Sequence, residues 1–245
     1  MAVDVDRWVV VSGAGGALGA ELARHYAKAG WRVLALDRKF EGGALANGIT
    51  VCTVDLLVEA EVQKALADSI PANQPIALLI NAVGQIWNEP VLAMRGARLS
   101  AHGLDTWRTA IDANLTAPFV VATQVAARMV RRGGGSIVNF SSIASKGNAG
   151  QAAYSAAKAG IEGLTRTMAI ELGPLGVRVN AVALGFIDVA TTKAAVTDQR
   201  LQEYAEKTPL GRLGRIEEVI GAIEFLAANT FATGTIVNLD GGLRL

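Results

Sequence analysis

Tyr154 and Lys158 sit four residues apart in the alanine-rich stretch "AAYSAAKAG" (152–160). That spacing is one helical turn, so both side chains share a face. A free phenol ionises at about 10, too high to serve well near neutrality, and a neighbouring ammonium favours the phenolate. A tyrosine so tuned gives a proton to a carbonyl oxygen as hydride arrives, or takes one from an alcohol as hydride leaves. Taken alone, such a pair is more often an ordinary helix face. The rest of the chain decides between the two.

Three features place the pair in a chemical setting. "SGAGGALG" (12–19) joins a β-rich run to a helical one, and a glycine turn there lets backbone N–H groups face a pyrophosphate. Asp37 ends the second strand, close to the offset at which an acid meets the adenosine ribose. A carboxylate accepts from both ribose hydroxyls and repels a ribose phosphate, which favours NAD over NADP; Arg38 and Lys39 follow directly and can serve that phosphate. "NFSS" (139–142) ends the fifth strand, where a serine can hydrogen-bond the oxygen that Tyr154 protonates.

These residues must be carried by an alternating framework. Short apolar runs at 7–12, 31–37, 49–55, 76–84, 135–142, 177–184 and 234–242 read as strands. Helical patterns lie between them at 18–30, 59–70, 104–132, 150–173, 191–206 and 215–229, with Gly30 as the stop of the first. Near-continuous apolar strands alternating with helices imply a parallel sheet covered on both faces: an α/β doubly wound fold of about seven strands. There is no Pro/Ser-rich linker, composition break or repeat, so residues 1–245 are expected to form one domain.

Bulk properties exclude other classes. The net charge of +1 gives no case for nucleic acid or an anionic membrane. Cys52 is the only cysteine, and His25 and His102 lie far apart, so no metal site is expected. No apolar run reaches the roughly 20 residues of a membrane span. The start "MAVDVDRWVVVSGAGG" has acidic residues before a short apolar run, unlike a signal peptide, and a cytoplasmic protein is expected.

In order and spacing, "SGAGGALG", "VD" (54–55), "NAVG" (81–84), "NLT" (114–116), "NFSS", "YSAAK" (154–158), "RVNAVALGFID" (178–188), "PLGRLG" (209–214) and "DGG" (240–242) resemble the short-chain dehydrogenase/reductase family over essentially the whole chain. The resemblance implies a homotetrameric or dimeric oxidoreductase that uses a nicotinamide cofactor on a small alcohol or ketone. It implies Tyr154 as acid/base and Lys158 as the residue that lowers its pKa and holds the nicotinamide ribose. Asn114 would hold a water in the proton relay, and a serine would orient the substrate. Aligning strand ends makes that serine Ser142; counting back from Tyr154 gives Ser141; a deletion is cheaper in the loop than in a buried strand, which favours Ser142. Cofactor contacts are implied at Gly13, Leu18, Gly19, Asp37, Asp55, Leu56, Asn81, Gly84 and Ile187, besides Tyr154 and Lys158.

The chain departs from the family pattern at Ala17, Leu184 and Val189, with Thr191 or Thr192 able to stand in for the hydroxyl lost at Val189. The link Ile86–Leu104 is longer than usual and lies where substrate would enter. An alcohol dehydrogenase or ketoreductase is the leading expectation. A 3-oxoacyl-carrier-protein reductase is the alternative within the class, and a non-catalytic nucleotide-binding protein the alternative outside it.

Overall fold

The computed structural model describes residues 7–40, 48–190 and 197–244. One parallel sheet organises them. Its strands are β1 (Trp8–Ser12), β2 (Arg32–Asp37), β3 (Ile49–Thr53), β4 (Ile76–Asn81), β7 (Gly135–Ser142), β8 (Val177–Leu184) and β9 (Ile236–Leu239). They lie in the order β3-β2-β1-β4-β7-β8-β9, every pairing parallel. This is the doubly wound Rossmann arrangement. The chain runs outward from β1 to β3, returns to β4, and then runs the other way. The reversal between β1 and β4 opens a crevice at their carboxyl ends.

Side chains alternate across the sheet, and each face acquires its own helices. Val10, Leu36, Leu79 and Ile137 pack against α2 (Glu59–Ser69), α4 (Ala117–Val130) and α5 (Ala152–Leu172). Val9, Val11, Ile80 and Val138 pack against α1 (Ala17–Lys28) and a helix near the C-terminus, Ile216–Ala228. Among the described residues no helix is long and apolar enough to cross a membrane.

Three polar residues interrupt this apolar interior on one rung of the sheet. Ser12, Asn81 and Asn139 are register partners across β1, β4 and β7, and each is at most 1% exposed. Ser12 Oγ donates to Asn81 Oδ1 at 2.5 Å, and Asn81 Nδ2 donates to Asn139 Oδ1 at 3.1 Å and to the Pro118 carbonyl at 2.8 Å. Asn139 Nδ2 passes the chain on to Thr165 Oγ1 of α5 at 3.0 Å. Buried polar groups persist only when partnered, and these partner one another across three strands and two helices.

Two expected elements come out differently. The helix expected over 104–132 is broken into α3 (Leu104–Ile111), a π turn at Asp112–Thr116, and α4. Pro118 has no N–H to give the carbonyl four residues back, and the Ala117 N–H instead reaches five residues back to Asp112. The long link after β4 contains a hairpin, β5 (Leu92–Arg95) paired with β6 (Arg98–Ala101). The run expected as strand to Gly84 leaves the sheet at Asn81. Of the polar helix expected over 191–206, residues 191–196 fall outside the described residues, Thr191 and Thr192 among them; α6 spans Asp198–Lys207, and α7 is the Ile216–Ala228 helix.

The rung makes a specific claim about stability. Asn81→Leu keeps the branched shape but strands the Ser12 hydroxyl and the Asn139 side-chain oxygen without their partners. It should lower the unfolding free energy by about 2–4 kcal/mol in urea denaturation.

Candidate active site

A cavity of about 640 Å³ lies along the carboxyl ends of the strands. Gly13, Asp37 and Arg38 line one end; Ser142, Tyr154 and Lys158 line the other; Gly84 and Ile187 lie between them in the wall.

The glycine turn is built by close approach. Gly13 has φ +73°, and a Cβ there would lie 2.5 Å from the Val83 nitrogen, where the β1 and β4 loops meet. A Cβ on Gly19 would lie 2.2 Å from the Gly13 carbonyl oxygen, which brings α1 against the turn. The Gly15 N–H donates to Asp37 Oδ2 at 2.9 Å, so the acid at the end of β2 also holds the turn in place. Gly16 caps α1 without any side-chain hydrogen bond. An uncapped helix N-terminus beside a glycine turn suits an anionic diphosphate. Leu18 and Gly19 line the cavity there, as does Ala17, the first residue of α1. The residues present fit a dinucleotide: a glycine cradle, a helix N-terminus and a ribose-facing acid in one continuous cavity.

At the far end, α5 brings Tyr154 to the end of β7. Tyr154 and Ser142 line the cavity together. Burial raises the Tyr154 phenol above the ordinary value, and the neighbouring Ser142 hydroxyl pulls it back down without cancelling the rise. The adjacent serine does something else: Ser141 Oγ donates to the Lys158 carbonyl at 3.2 Å and to Glu162 Oε1 at 3.1 Å. Ser142, not Ser141, is thus the serine that acts on the tyrosine. Glu162 also takes the Ser145 hydroxyl at 2.6 Å, which fixes the 3-10 turn Ile143–Lys146 over α5.

Lys158 departs from expectation. It is 4% exposed, and its Nζ donates to the Phe140 carbonyl at 3.0 Å. It stands 5.7 Å from the centre of the Tyr154 ring rather than on its hydroxyl. A buried ammonium needs an acceptor, and the strand carbonyl supplies it. Burial lowers Lys158 to about 8. In this structure Ser142, not Lys158, is the group that pulls the phenol down.

Asn114 is wholly buried in the π turn. Its Nδ2 donates to the Gln85 and Ala110 carbonyls, and its Oδ1 accepts the Gln85 N–H, all at 3.0 Å. The turn that Pro118 creates thereby clamps the loop leaving β4. A Cβ on Gly84 would lie 2.7 Å from Asn114 Oδ1 and 3.1 Å from Lys158 Nζ, so glycine is what lets these groups converge.

Three residues expected on the cofactor do not line the cavity. Asn81 spends its amide on the buried rung. Leu56 is 4% exposed and packs in the core beneath α2 and α4. Asp55 accepts the Leu57 N–H at 3.0 Å, and its own N–H goes to Glu61 Oε2 at 2.8 Å. Gln85, Asn88, Asn148 and Gln151 do line the cavity, none of them singled out by residue type and spacing.

A family model described as enoyl-(acyl carrier protein) reductase matches residues 13–244. Short-chain reductase protein NovJ of Streptomyces niveus is 34% identical, over 99% of this chain and 95% of its own. Gluconate 5-dehydrogenase of Gluconobacter oxydans is 32% identical, over 96% and 94% of the two chains. The ligand-free structure of aldohexose dehydrogenase from Thermoplasma acidophilum superposes with a TM-score of 0.86 at 28% identity, covering 98% of this chain and 95% of that one. A doubly wound sheet with a glycine turn at one end of its crevice and a Tyr–Ser pair at the other defines a nucleotide-dependent oxidoreductase. The chain belongs to the short-chain dehydrogenase/reductase family, whose members act on CH–OH groups with a nicotinamide nucleotide.

The buried ammonium gives a pH prediction. Lys158 titrates at about 8 in the fold against 10.5 ordinarily, so between those values the unfolded chain binds more protons. Stability from this group therefore rises with pH across that window, and its cost is fully present below it. Lys158→Met removes the term. The stability advantage of the variant should shrink by about 2–4 kcal/mol as urea denaturation moves from pH 7.5 to 10.5.

Proposed function

We propose that this chain is an NAD(H)-dependent dehydrogenase/reductase that interconverts a secondary alcohol and a ketone, with residues 1–245 acting as one catalytic domain. The observation that carries the reading is that Ser142, Tyr154 and Lys158 line one end of a cavity whose other end holds Asp37 and the glycine turn. The nicotinamide cofactor gives or accepts the hydride.

In reduction, the carbonyl oxygen sits between the Ser142 and Tyr154 hydroxyls. Ser142 donates to it and fixes its direction. Tyr154, held protonated by burial, gives it the proton as the carbon becomes an alcohol. In oxidation the steps reverse, and the tyrosine must reach its ionised form first. Lys158, anchored on Phe140 beside the ring, offers a donor for the nicotinamide ribose. Asn114 positions this machinery by tying Gln85 down and leaving Gly84 against Lys158. Asp37 selects NAD over NADP: its carboxylate lines the cavity with one oxygen already held by Gly15. Phe119 and Ile170, exposed on α4 and α5, support a homo-oligomer, a tetramer by resemblance. A cytoplasmic location belongs to the same proposal.

The carrier-protein alternative has support in the 3-oxoacyl-[acyl-carrier-protein] reductase of Aquifex aeolicus, 35% identical over 82% of this chain and 77% of its own. Among the described residues lining the catalytic end, Lys158 is the one cation, which favours a small free substrate instead.

Thermal stability with NAD⁺, NADH, NADP⁺ and NADPH separately is the first test. NAD(H) should raise the transition and NADP(H) should not; the opposite preference would move selection from Asp37 to Arg38 and Lys39. Tyr154→Phe should lower kcat by about 100-fold or more and keep the NAD(H) shift. Ser142→Ala removes the hydroxyl that lowers the phenol. The rising limb of the pH profile for alcohol oxidation should move to higher pH, and an unmoved limb would mean that Tyr154 is not the base.

A further inference from the structure

The mouth of the catalytic end is built from side-chain amides. Asn148 Nδ2 donates to Gln151 Oε1 at 2.9 Å, and Gln151 Nε2 donates to Asn88 Oδ1 at 2.8 Å. All three residues line the cavity, and Gln151 lies three positions before Tyr154 on the way into α5. The chain of amides also spans two elements, since Glu89, next to Asn88, bridges Gln151 by backbone pairing. Gln85 joins them on the wall with its main chain fixed by Asn114.

In this arrangement Gln151 accepts from Asn148 and donates to Asn88. Each amide has two N–H groups and an oxygen with two lone pairs, so the outer amides keep donors and acceptors beyond these two links. Here the free groups are Asn88 Nδ2 and Asn148 Oδ1, neither of which has a further protein partner among the described residues. A group that both donates and accepts matches a donor and an acceptor on one rim, and the common group with that property and no charge is a hydroxyl.

Charge narrows the choice further. Among the described residues lining the cavity, charged side chains are Asp37 and Arg38 at the nucleotide end and Lys158 at the other. Lys158 is 4% exposed and gives one of its donors to the Phe140 carbonyl. Among the described residues lining the catalytic end, no other cation is placed to pair a substrate carboxylate or phosphate.

Building on the oxidoreductase reading, we infer that the substrate is a neutral polyhydroxylated alcohol or its ketone or lactone partner, a polyol or ring-form sugar, whose non-reacting hydroxyls are held by the Asn148–Gln151–Asn88 amide chain. Asn88 and Asn148 are then specificity residues that touch substrate. Gln151 is a positioning residue that hydrogen-bonds both and joins them to the helix of Tyr154. The reacting carbon gives its hydride to the nicotinamide and its hydroxyl proton to Tyr154, so oxidation of the alcohol is balanced by reduction of the cofactor.

The test uses the full chain with the cofactor that stabilises it. Neutral pentitols, hexitols and aldoses are compared with their monodeoxy analogues, with aldonates of the same skeleton, and with cyclohexanol. Binding is read by thermal shift and turnover by cofactor absorbance. Expected is selection of at least one polyol or aldose over its aldonate and over cyclohexanol. Asn88→Ala and Asn148→Ala should raise KM for it by about 10- to 100-fold with kcat nearly kept. They should also cut the preference over the monodeoxy analogue by a similar factor, which a merely structural role would not do. Gln151→Glu, which keeps size but alters the donor, should reproduce the loss. Turnover of cyclohexanol or an aldonate at least as well as any polyol, or amide variants with unchanged discrimination, would overturn the inference and leave the oxidoreductase reading standing. Polyol binding lost in the amide variants but without turnover would keep the recognition and sink the redox reading. Neither binding nor turnover of any polyol would overturn the inference.

Discussion

The site depends on a hydrogen-bonded rung buried in the sheet. Ser12 and Asn81, the last residues of β1 and β4, meet Asn139 of β7 side by side across three adjacent parallel strands, and Thr165 ties them to α5. Apolar packing alone would hold these layers at the right distance but not in one register. A register error of one residue would turn every side chain on a strand to the other face. The polar rung makes such an error costly, because it would bury several unpaired groups at once. Three residues beyond it on β7 stands Ser142, and seven residues before Thr165 on α5 stands Lys158. The strand end and the helix that must face each other are thus fixed from below.

Above the rung, main-chain contacts take over. Gly13 and Val83 touch where the sheet reverses direction, Gly19 lies on Gly13, and Gly84 leaves room between Asn114 and Lys158. Each is a place where backbone must come closer than a side chain permits. The two ends of the cavity are therefore parts of one rigid arrangement: the β1 turn and the β4 loop are in contact, and the β4 loop is clamped by Asn114.

Much of this was readable in the sequence, for identifiable reasons. A doubly wound parallel sheet follows from apolar runs alternating with helical ones, and about seven strands were expected where seven form the main sheet. Tyr154 and Ser142 were legible because their spacing fits a helix start and a strand end. What escaped depends on contacts distant in sequence. Asn81 reads as a cofactor residue by position, yet its partners lie at 12, 118 and 139. The π turn had a local signal in Pro118, which was passed over because the apolar pattern runs straight through it. The hairpin at 92–101 hid because its strands are four residues each and its apolar side, Leu92, Met94 and Leu99, is exposed. Four-residue spacing puts Lys158 on the face of Tyr154, but its anchor, the Phe140 carbonyl, lies on another element and has no local signal.

The central claim is that burial keeps Tyr154 a proton donor and that its serine neighbour tempers this. The direct measurement is an ultraviolet difference titration of tyrosinate in the free protein, wild type minus Tyr154→Phe, repeated in the Ser142→Ala background. The account predicts a phenol that ionises above the ordinary value in the wild type and higher still without Ser142. A Tyr154 that ionises at or below the ordinary phenol value, unmoved by loss of Ser142, would contradict it.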